Sequence, residues 1–167
     1  MNFRLTVKED INEVMKIINQ AKEYFKSQGI DQWQDGYPNE QTIENDIKKG
    51  EAYVLEEDGH IIGTCMVTIK GEPSYNVIDG KWLLNSPYIC VHRIALDNQY
   101  KGKGLASIIL DHAVALYPQY HSVRMDTHYD NLSMQHFLTK YGFVYCGDIH
   151  LSTSGDLRRA YEKRLLK

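Results

Sequence analysis

The feature that most constrains this chain is the run Lys101-Gly102-Lys103-Gly104, set within "DNQYKGKGLASIILDHA". After it, Leu105, Ile108, Ile109, His112, Ala113 and Leu116 recur at helical spacing, and Pro118 closes the pattern. Before it, "YICVHRIAL" over residues 88–96 is apolar at most positions and predicts a strand. Strand, glycine turn and helix therefore follow one another directly. A helix N-terminus carries unpaired N–H donors and about half a positive charge, and glycine lets a ligand come close to the main chain. Lys101 and Lys103 add cationic side chains at the same point, which suits a diphosphate better than a neutral ligand. The run is not a Walker loop, because no GKS or GKT follows four residues after a first glycine. Nor is it GxGxxG, because Ser107 stands at the third glycine position. Both nucleotide-binding readings are thereby weakened.

The rest of the chain supplies a mixed set of elements. Residues 2–7, "NFRLTV", alternate in strand fashion, and Asp10 with Glu13 forms a capping-box-like helix start. Ile11, Val14, Met15, Ile18, Ala21 and Phe25 then share one helix face, with Gly29 as the stop. An aromatic loop, "DQWQDGYP", leads into a short helix ending near Gly50, and strands over 51–56 and 60–69 form a hairpin through "EDG". Residues 70–87 are turn-rich and read as a long loop or ragged strand end. "HSVRMDT" is the next strand, Asn131 opens a helix that closes at Tyr141-Gly142, and residues 143–151 and 158–165 are the last two strands. This order predicts an α+β fold with a mixed, mostly antiparallel central sheet of about seven strands flanked by about four helices, with βαβ units only in the second half.

Composition sets the outer limits. At 167 residues the chain has the usual size of one domain, expected to span 1–167. No apolar run approaches the roughly 20 residues that cross a bilayer. "MNFRLTVKEDINEV" has no apolar h-region or cleavage site, so a cytoplasmic location is expected. The net charge of −3 argues against nucleic acid as a partner. Cys65, Cys90 and Cys146 are odd in number, widely spaced and set in apolar or strand-like sequence, which predicts buried reduced thiols and no metal site.

The strand "HRIAL", four linking residues, "KGKGLA" and an amphipathic helix, followed by a strand, an Asn and "KYGF", resemble the GNAT superfamily of acyl-CoA-dependent N-acyltransferases. The likeness covers element order from about Phe3 to Leu165, and motif only over residues 94–106 and 126–143. The family motif Gln/Arg-x-x-Gly-x-Gly/Ala fits in two registers, Gln99-x-x-Gly102-x-Gly104 and Lys101-x-x-Gly104-x-Ala106. The second agrees with the family's four-residue spacing from the last apolar strand position, here Leu96. It puts lysine where the family has Gln or Arg.

The resemblance implies an acetyl-CoA-dependent N-acetyltransferase with a GNAT-like fold, acting on a small-molecule or peptide amine by direct attack on the thioester. The main chain of Lys101, Gly102, Lys103, Gly104, Leu105 and Ala106 is then expected to hold the pyrophosphate. Ile94, Ala95 and Leu96 run beside the pantetheine arm, and Asn131 touches it. Asp126 stands where many family members carry the glutamate that takes the amine proton, and its shortness favours a water relay. His128 and His92 are competing bases, because imidazole titrates nearest neutrality. His92 is also a candidate contact for the acceptor. The family's usual tyrosine acid is replaced by Leu138, so Tyr141 or Tyr129 substitutes, or the thiolate leaves unaided. Trp33 and Tyr37 lie where the family builds one wall of the acceptor pocket, or else they form a lid on the core. Leu138 also motivates the alternative of a non-catalytic acyl-CoA-binding module. Homodimers are common in the family, and a homodimer is one of the assemblies left open.

Overall fold

The helical and alternating periodicities of the sequence become four α-helices and eight strands in the computed structural model, which describes residues 1–165. In chain order these are β1 (Asn2–Leu5), α1 (Ile11–Ser27), α2 (Glu40–Lys48), β2 (Ala52–Glu57), β3 (His60–Thr68), β4 (Asp79–Gly80), β5 (Ile89–Leu96), α3 (Leu105–Ala115), β6 (Ser122–Thr127), α4 (Leu132–Tyr141), β7 (Val144–His150) and β8 (Leu157–Arg164). The sheet is mixed, with strand order β1-β2-β3-β5-β6-β8-β7-β4. It has one strand more than the sequence predicts, and the addition is the two-residue β4. The chain divides into two compact units, one of Met1–Val67 with His92–Ala115 and the other of Thr68–Val91 with residues 116–165.

In the first unit β1 and β2 pair antiparallel, as do β2 and β3. The β2–β3 turn has positive φ at both Asp58 (52°) and Gly59 (80°), which matches the twist of a two-residue hairpin. Ile11, Val14, Ile17 and Ile18 on α1 bury against Ile43 of α2, Val54 of β2, Ile61 of β3 and Ala95 of β5. The start of α1 differs from the expected capping box. Residues Lys8–Asp10 form a 3-10 turn, and Asp10 Oδ2 accepts from the Val7 N–H at 2.8 Å and from Arg4 at 2.7 Å. The carboxylate turns back to the preceding chain because Arg4, on β1, offers a charged partner that α1 does not. A methyl at Gly63 would come within 2.7 Å of Ile109 Cδ1 and 3.0 Å of Leu96 Cδ2, so α3 seats directly on β3.

In the second unit the first residues of β5 pair parallel with β6, Ile89 with Val123 and Cys90 with Arg124. β6 pairs antiparallel with β8, and β8 with β7. β4 crosses β7 at Gly80 and Gly147, where a Cβ would lie 2.2 Å from the Cys146 carbonyl oxygen and 2.3 Å from that of Asp79. Only glycine permits that approach. Tyr75, Cys90, Ile149 and Ala160 form the core here, with Trp82 and Tyr88 packed on them. Glu162, fully buried, accepts from Arg124 Nε at 3.0 Å and from the Leu83 N–H at 2.6 Å, while the Arg124 guanidinium lies 4.0 Å from the Trp82 ring and 4.1 Å from that of Tyr88. The turn-rich stretch 70–87 is thus pinned to the sheet by a buried ion pair. Cys65 and Cys90 are buried free thiols, but Cys146 is only half-buried, because its outer neighbour β4 is two residues long.

Candidate functional site

The glycine loop lies in the first unit. β5 ends at Leu96, a 3-10 turn occupies Asn98–Tyr100, and α3 begins at Leu105. Gly102 and Gly104 have φ of 78° and 75°, and a Cβ built on either meets nothing within 4 Å. Their demand for glycine is therefore conformational, and the space beside them is open to a ligand. The first helical bond runs from the Ile108 N–H to the Gly104 carbonyl at 3.4 Å, so the amides of residues 104–107 precede the helical ladder. Such a main-chain cradle fits a diphosphate. The lysines are placed less directly. Lys101 Nζ sits 4.6 Å from the centroid of the Tyr24 ring on α1, and burial lowers the pKa of its ammonium. Lys103 Nζ lies 5.3 Å from the Tyr100 ring. Ala106 occupies the first turn of α3, and Leu105 is buried beneath it.

The same unit holds the aromatic loop between α1 and α2. Trp33, half-buried at φ 61°, packs on the α1–α2 core and meets the Phe25 ring edge-on, with centroids 5.5 Å apart. Tyr37 is exposed, and its hydroxyl accepts from Arg93 Nη1 at 2.6 Å. Arg93 also forms an ion pair through Nη2 with Asp46 of α2. Burial works against the Arg93 charge, but Tyr37 and Asp46 outweigh it and raise its pKa. Arg93 itself has φ 53° in the middle of β5, a strained value for a non-glycine residue. The structure thus brings Tyr37 to β5, one residue from Ile94, while Trp33 faces the core. His92 is the half-buried residue preceding Arg93.

The remaining candidates lie in the second unit. Asp126 is half-buried near the end of β6, opposite Ala160 of β8. Its Oδ2 accepts from the Tyr75 hydroxyl at 2.6 Å. His128 Nδ1 accepts from the Asp130 N–H at 3.0 Å, and its carbonyl accepts from Gln135 Nε2, so His128 braces the turn into α4. Asn131, 3% exposed, caps α4 by accepting from the Met134 N–H at 3.1 Å. Tyr141 is the last residue of α4. Its carbonyl accepts from Lys163 Nζ at 2.9 Å, the same ammonium lies 4.3 Å from its ring, and Phe137 and Phe143 pack beside it. Tyr141 stands about 15 Å along the helix from Asn131, at 1.5 Å per residue. Leu138 is completely buried. Tyr129 lies 3.5 Å from the Tyr145 hydroxyl, which donates to Asp148.

Arg93, Asp46 and Tyr75 escape the sequence argument. Arg93 has a visible signal, a lone permanent cation in an otherwise apolar strand, which demands an acid partner. Tyr75 has none, since a tyrosine among turn residues gives no clue to a carboxylate 51 positions later. Among the described residues no group of His, Cys, Asp and Glu could hold a metal ion, and no helix is long and apolar enough to cross a membrane.

The sequence profile of the acetyltransferase (GNAT) family matches residues 14–143. The chain is similar to S-alkylcysteine N-acetyltransferase of Bacillus subtilis strain 168, with 31% identity over 108 residues, a match that spans 65% of this chain and 56% of that relative. YesJ, an uncharacterized N-acetyltransferase of the same strain, is 23% identical over 155 residues, 84% of this chain and 80% of its own. Among solved structures, a GNAT-family acetyltransferase of Streptococcus agalactiae 2603 superposes with a TM-score of 0.91 and 38% identity, over 99% of this chain and 96% of its own.

Proposed function

We propose that this chain, which belongs to the acetyltransferase (GNAT) family, is an N-acetyltransferase that moves an acetyl group from acetyl-CoA to a primary amine of a small molecule or peptide by direct attack on the thioester. The observation that carries this reading is the glycine loop. Two left-handed glycines with open space beside them stand at the N-terminus of an 11-residue helix that follows the strand carrying Ile94, Ala95 and Leu96. The main chain of residues 101–106 holds the pyrophosphate, and that of residues 94–96 runs beside the pantetheine arm.

Acetyl-CoA supplies the activated acyl group and a thiolate leaving group. Asp126 takes the proton of the attacking amine, directly or through water. His128 is a weaker base for this step, because its Nδ1 lone pair is already engaged by the Asp130 N–H, and His92 remains the competing imidazole. A thiol pKa of about 8.5 lets the thiolate depart without a dedicated acid, so the buried Leu138 is compatible with turnover. Tyr37 contributes to one wall of the acceptor pocket, while Trp33 packs on the core and supports the same loop. The similarity to an S-alkylcysteine N-acetyltransferase makes amino-acid amines the first acceptors to try. A cytoplasmic location accompanies this reading.

The test is a panel of amino-acid, polyamine, antibiotic and peptide amines, scored by amine-dependent thiol release from acetyl-CoA, beside binding of acetyl-CoA, ATP and NAD. Preferential acetyl-CoA binding with thiol release for one amine class is the expected result. Acetyl-CoA binding without release for any amine would favour the non-catalytic module that Leu138 suggests. Preference for ATP or NAD would remove the cradle assignment altogether.

A further inference from the structure

Asp126 does not stand alone at the end of β6. Tyr75 donates its hydroxyl to Asp126 Oδ2 at 2.6 Å, and Tyr75 is only 2% exposed. Its position is fixed many times over. The Tyr75 carbonyl accepts from Trp82 Nε1 at 3.1 Å, and its ring lies 5.2 Å from that of Trp82 and 6.0 Å from that of Tyr88. The 3-10 turn that carries it, Pro73–Tyr75, is capped by Glu72 Oε2, which accepts from the Ser74 N–H at 2.8 Å. Ser74 Oγ in turn accepts from the Ser152 N–H at 2.8 Å, and the Glu72 N–H donates to the Tyr88 hydroxyl at 3.0 Å. A carboxylate on a short side chain turns freely about its last torsion unless something holds it. We infer that Tyr75 is a positioning residue for the base Asp126, holding the carboxylate in one orientation so that the amine proton meets it in a fixed geometry. The inference rests on Asp126 being the base of the proposed acetyl transfer.

Tyr75 is suited to this role and not to that of an acid. Burial and the neighbouring Asp126 charge push its phenol well above its ordinary pKa, and the Cys90 thiol acts in the same direction. The phenol therefore keeps its proton and remains a donor throughout the working pH range. Releasing that proton to a departing thiolate would leave a phenolate against a carboxylate in a buried site. Tyr75 accordingly does not replace the acid missing at Leu138.

The substitution Tyr75→Phe deletes the hydroxyl and keeps the ring on Trp82 and Tyr88. In thiol-release kinetics with an accepted amine, it is expected to lower kcat about tenfold while the KM for acetyl-CoA and the unfolding temperature stay near the parent's. In an Asp126→Asn background the same substitution should change kcat by no more than about twofold, because its effect passes through the carboxylate. A kcat within about twofold of the parent, or a second tenfold loss in the Asp126→Asn background, overturns the inference. A readout independent of turnover comes from NMR of tyrosine labelled at Cζ. The Tyr75 resonance should titrate at lower pH in Asp126→Asn than in the parent, and a parent resonance that titrates like a free tyrosine overturns the hydrogen bond itself. If Tyr75→Phe is inactive but Asp126→Asn turns over normally, the base assignment fails and the inference with it. If the parent releases no thiol with any amine, acetyl transfer itself has failed, which is distinguishable from a working enzyme indifferent to Tyr75.

Discussion

The two units of the chain offer a ligand opposite kinds of surface. In the first, the glycine loop presents main chain. Gly102 and Gly104 adopt left-handed φ with empty space beside them, and the ammonium groups of Lys101 and Lys103 lie near the Tyr24 and Tyr100 rings. In the second, the candidate base and the buried cation are side chains held by other side chains: Asp126 by Tyr75, and Arg124 by Glu162, Trp82 and Tyr88. A main-chain site needs only that residues next to one another in sequence adopt the right φ. A side-chain site needs partners delivered by distant elements, such as the 51-residue separation of Tyr75 from Asp126. Substitutions in the first should therefore act by shape and charge at one point, and substitutions in the second by uncoupling a pair.

The largest effect tests the main-chain half. Gly104→Glu places a side chain and a negative charge at the proposed diphosphate cradle, and acetyl-CoA affinity should fall at least about 10³-fold, or about 4 kcal/mol. A Cβ at Gly104 meets no atom within 4 Å, so the fold has room for it. The left-handed φ adds strain of only about 1–2 kcal/mol, which Gly104→Ala measures separately. Titration calorimetry on both variants checks this, and an affinity for Gly104→Glu equal to that for Gly104→Ala would show that no anion sits there.

The next effect probes a buried ion pair of the first unit, Arg93 with Asp46. Arg93→Met leaves the Asp46 carboxylate, 6% exposed, without its cation and frees Tyr37 from β5. Removing one partner of a buried pair costs about 3 kcal/mol or more, read as a loss of unfolding free energy in denaturant. A loss under about 1 kcal/mol would mean that Asp46 reaches water once Arg93 is gone, and that the Tyr37 loop is not anchored by this contact.

Slightly smaller in free energy is Asp126→Asn, which keeps an oxygen to accept from Tyr75 but cannot take a proton. kcat should fall about 10²-fold, or about 2.7 kcal/mol, with acetyl-CoA affinity nearly unchanged. Paired with Gly104→Glu, this separates the halves: one variant binds without turning over, and the other does not bind. An unaltered pH–rate profile in Asp126→Asn would transfer the proton to His128, His92 or solvent.

The same contrast decides what the sequence made legible. The strand–loop–helix run around Gly102 and Gly104, the β2–β3 hairpin and the α1 face rest on local rules, and each stands close to where its periodicity places it. Asn131 was legible as a cap for the same reason. β4 was not, because a two-residue strand has no period and exists only where Gly80 and Gly147 let two main chains meet. The Asp10 carboxylate left its expected cap for Arg4, which lies on β1 and not on the helix. Arg93 was visible as a charge within a strand, but its partners were not, and Asp46 and Tyr75 were invisible altogether: each acquires its role from a partner that only the fold brings near.

The smallest expected effect returns to the residue that departs from the family pattern. Lys101 stands in the register where the family carries Gln or Arg, and a side-chain view of the loop would make it an important anion contact. Its ammonium instead lies 4.6 Å from the Tyr24 centroid, and burial already disfavours its charge. Exchanging it for the family residue, Lys101→Gln, surrenders a cation–π contact of about 0.5–1 kcal/mol and restores a neutral donor at the loop. If the main chain does the binding, acetyl-CoA affinity should move by no more than about twofold, and its salt dependence should barely change. A loss of about tenfold with a flatter salt dependence would mean that the ammonium leaves Tyr24 when the anion arrives. The cradle would then be partly a side-chain site, and the contrast between the two units would narrow to a difference of degree.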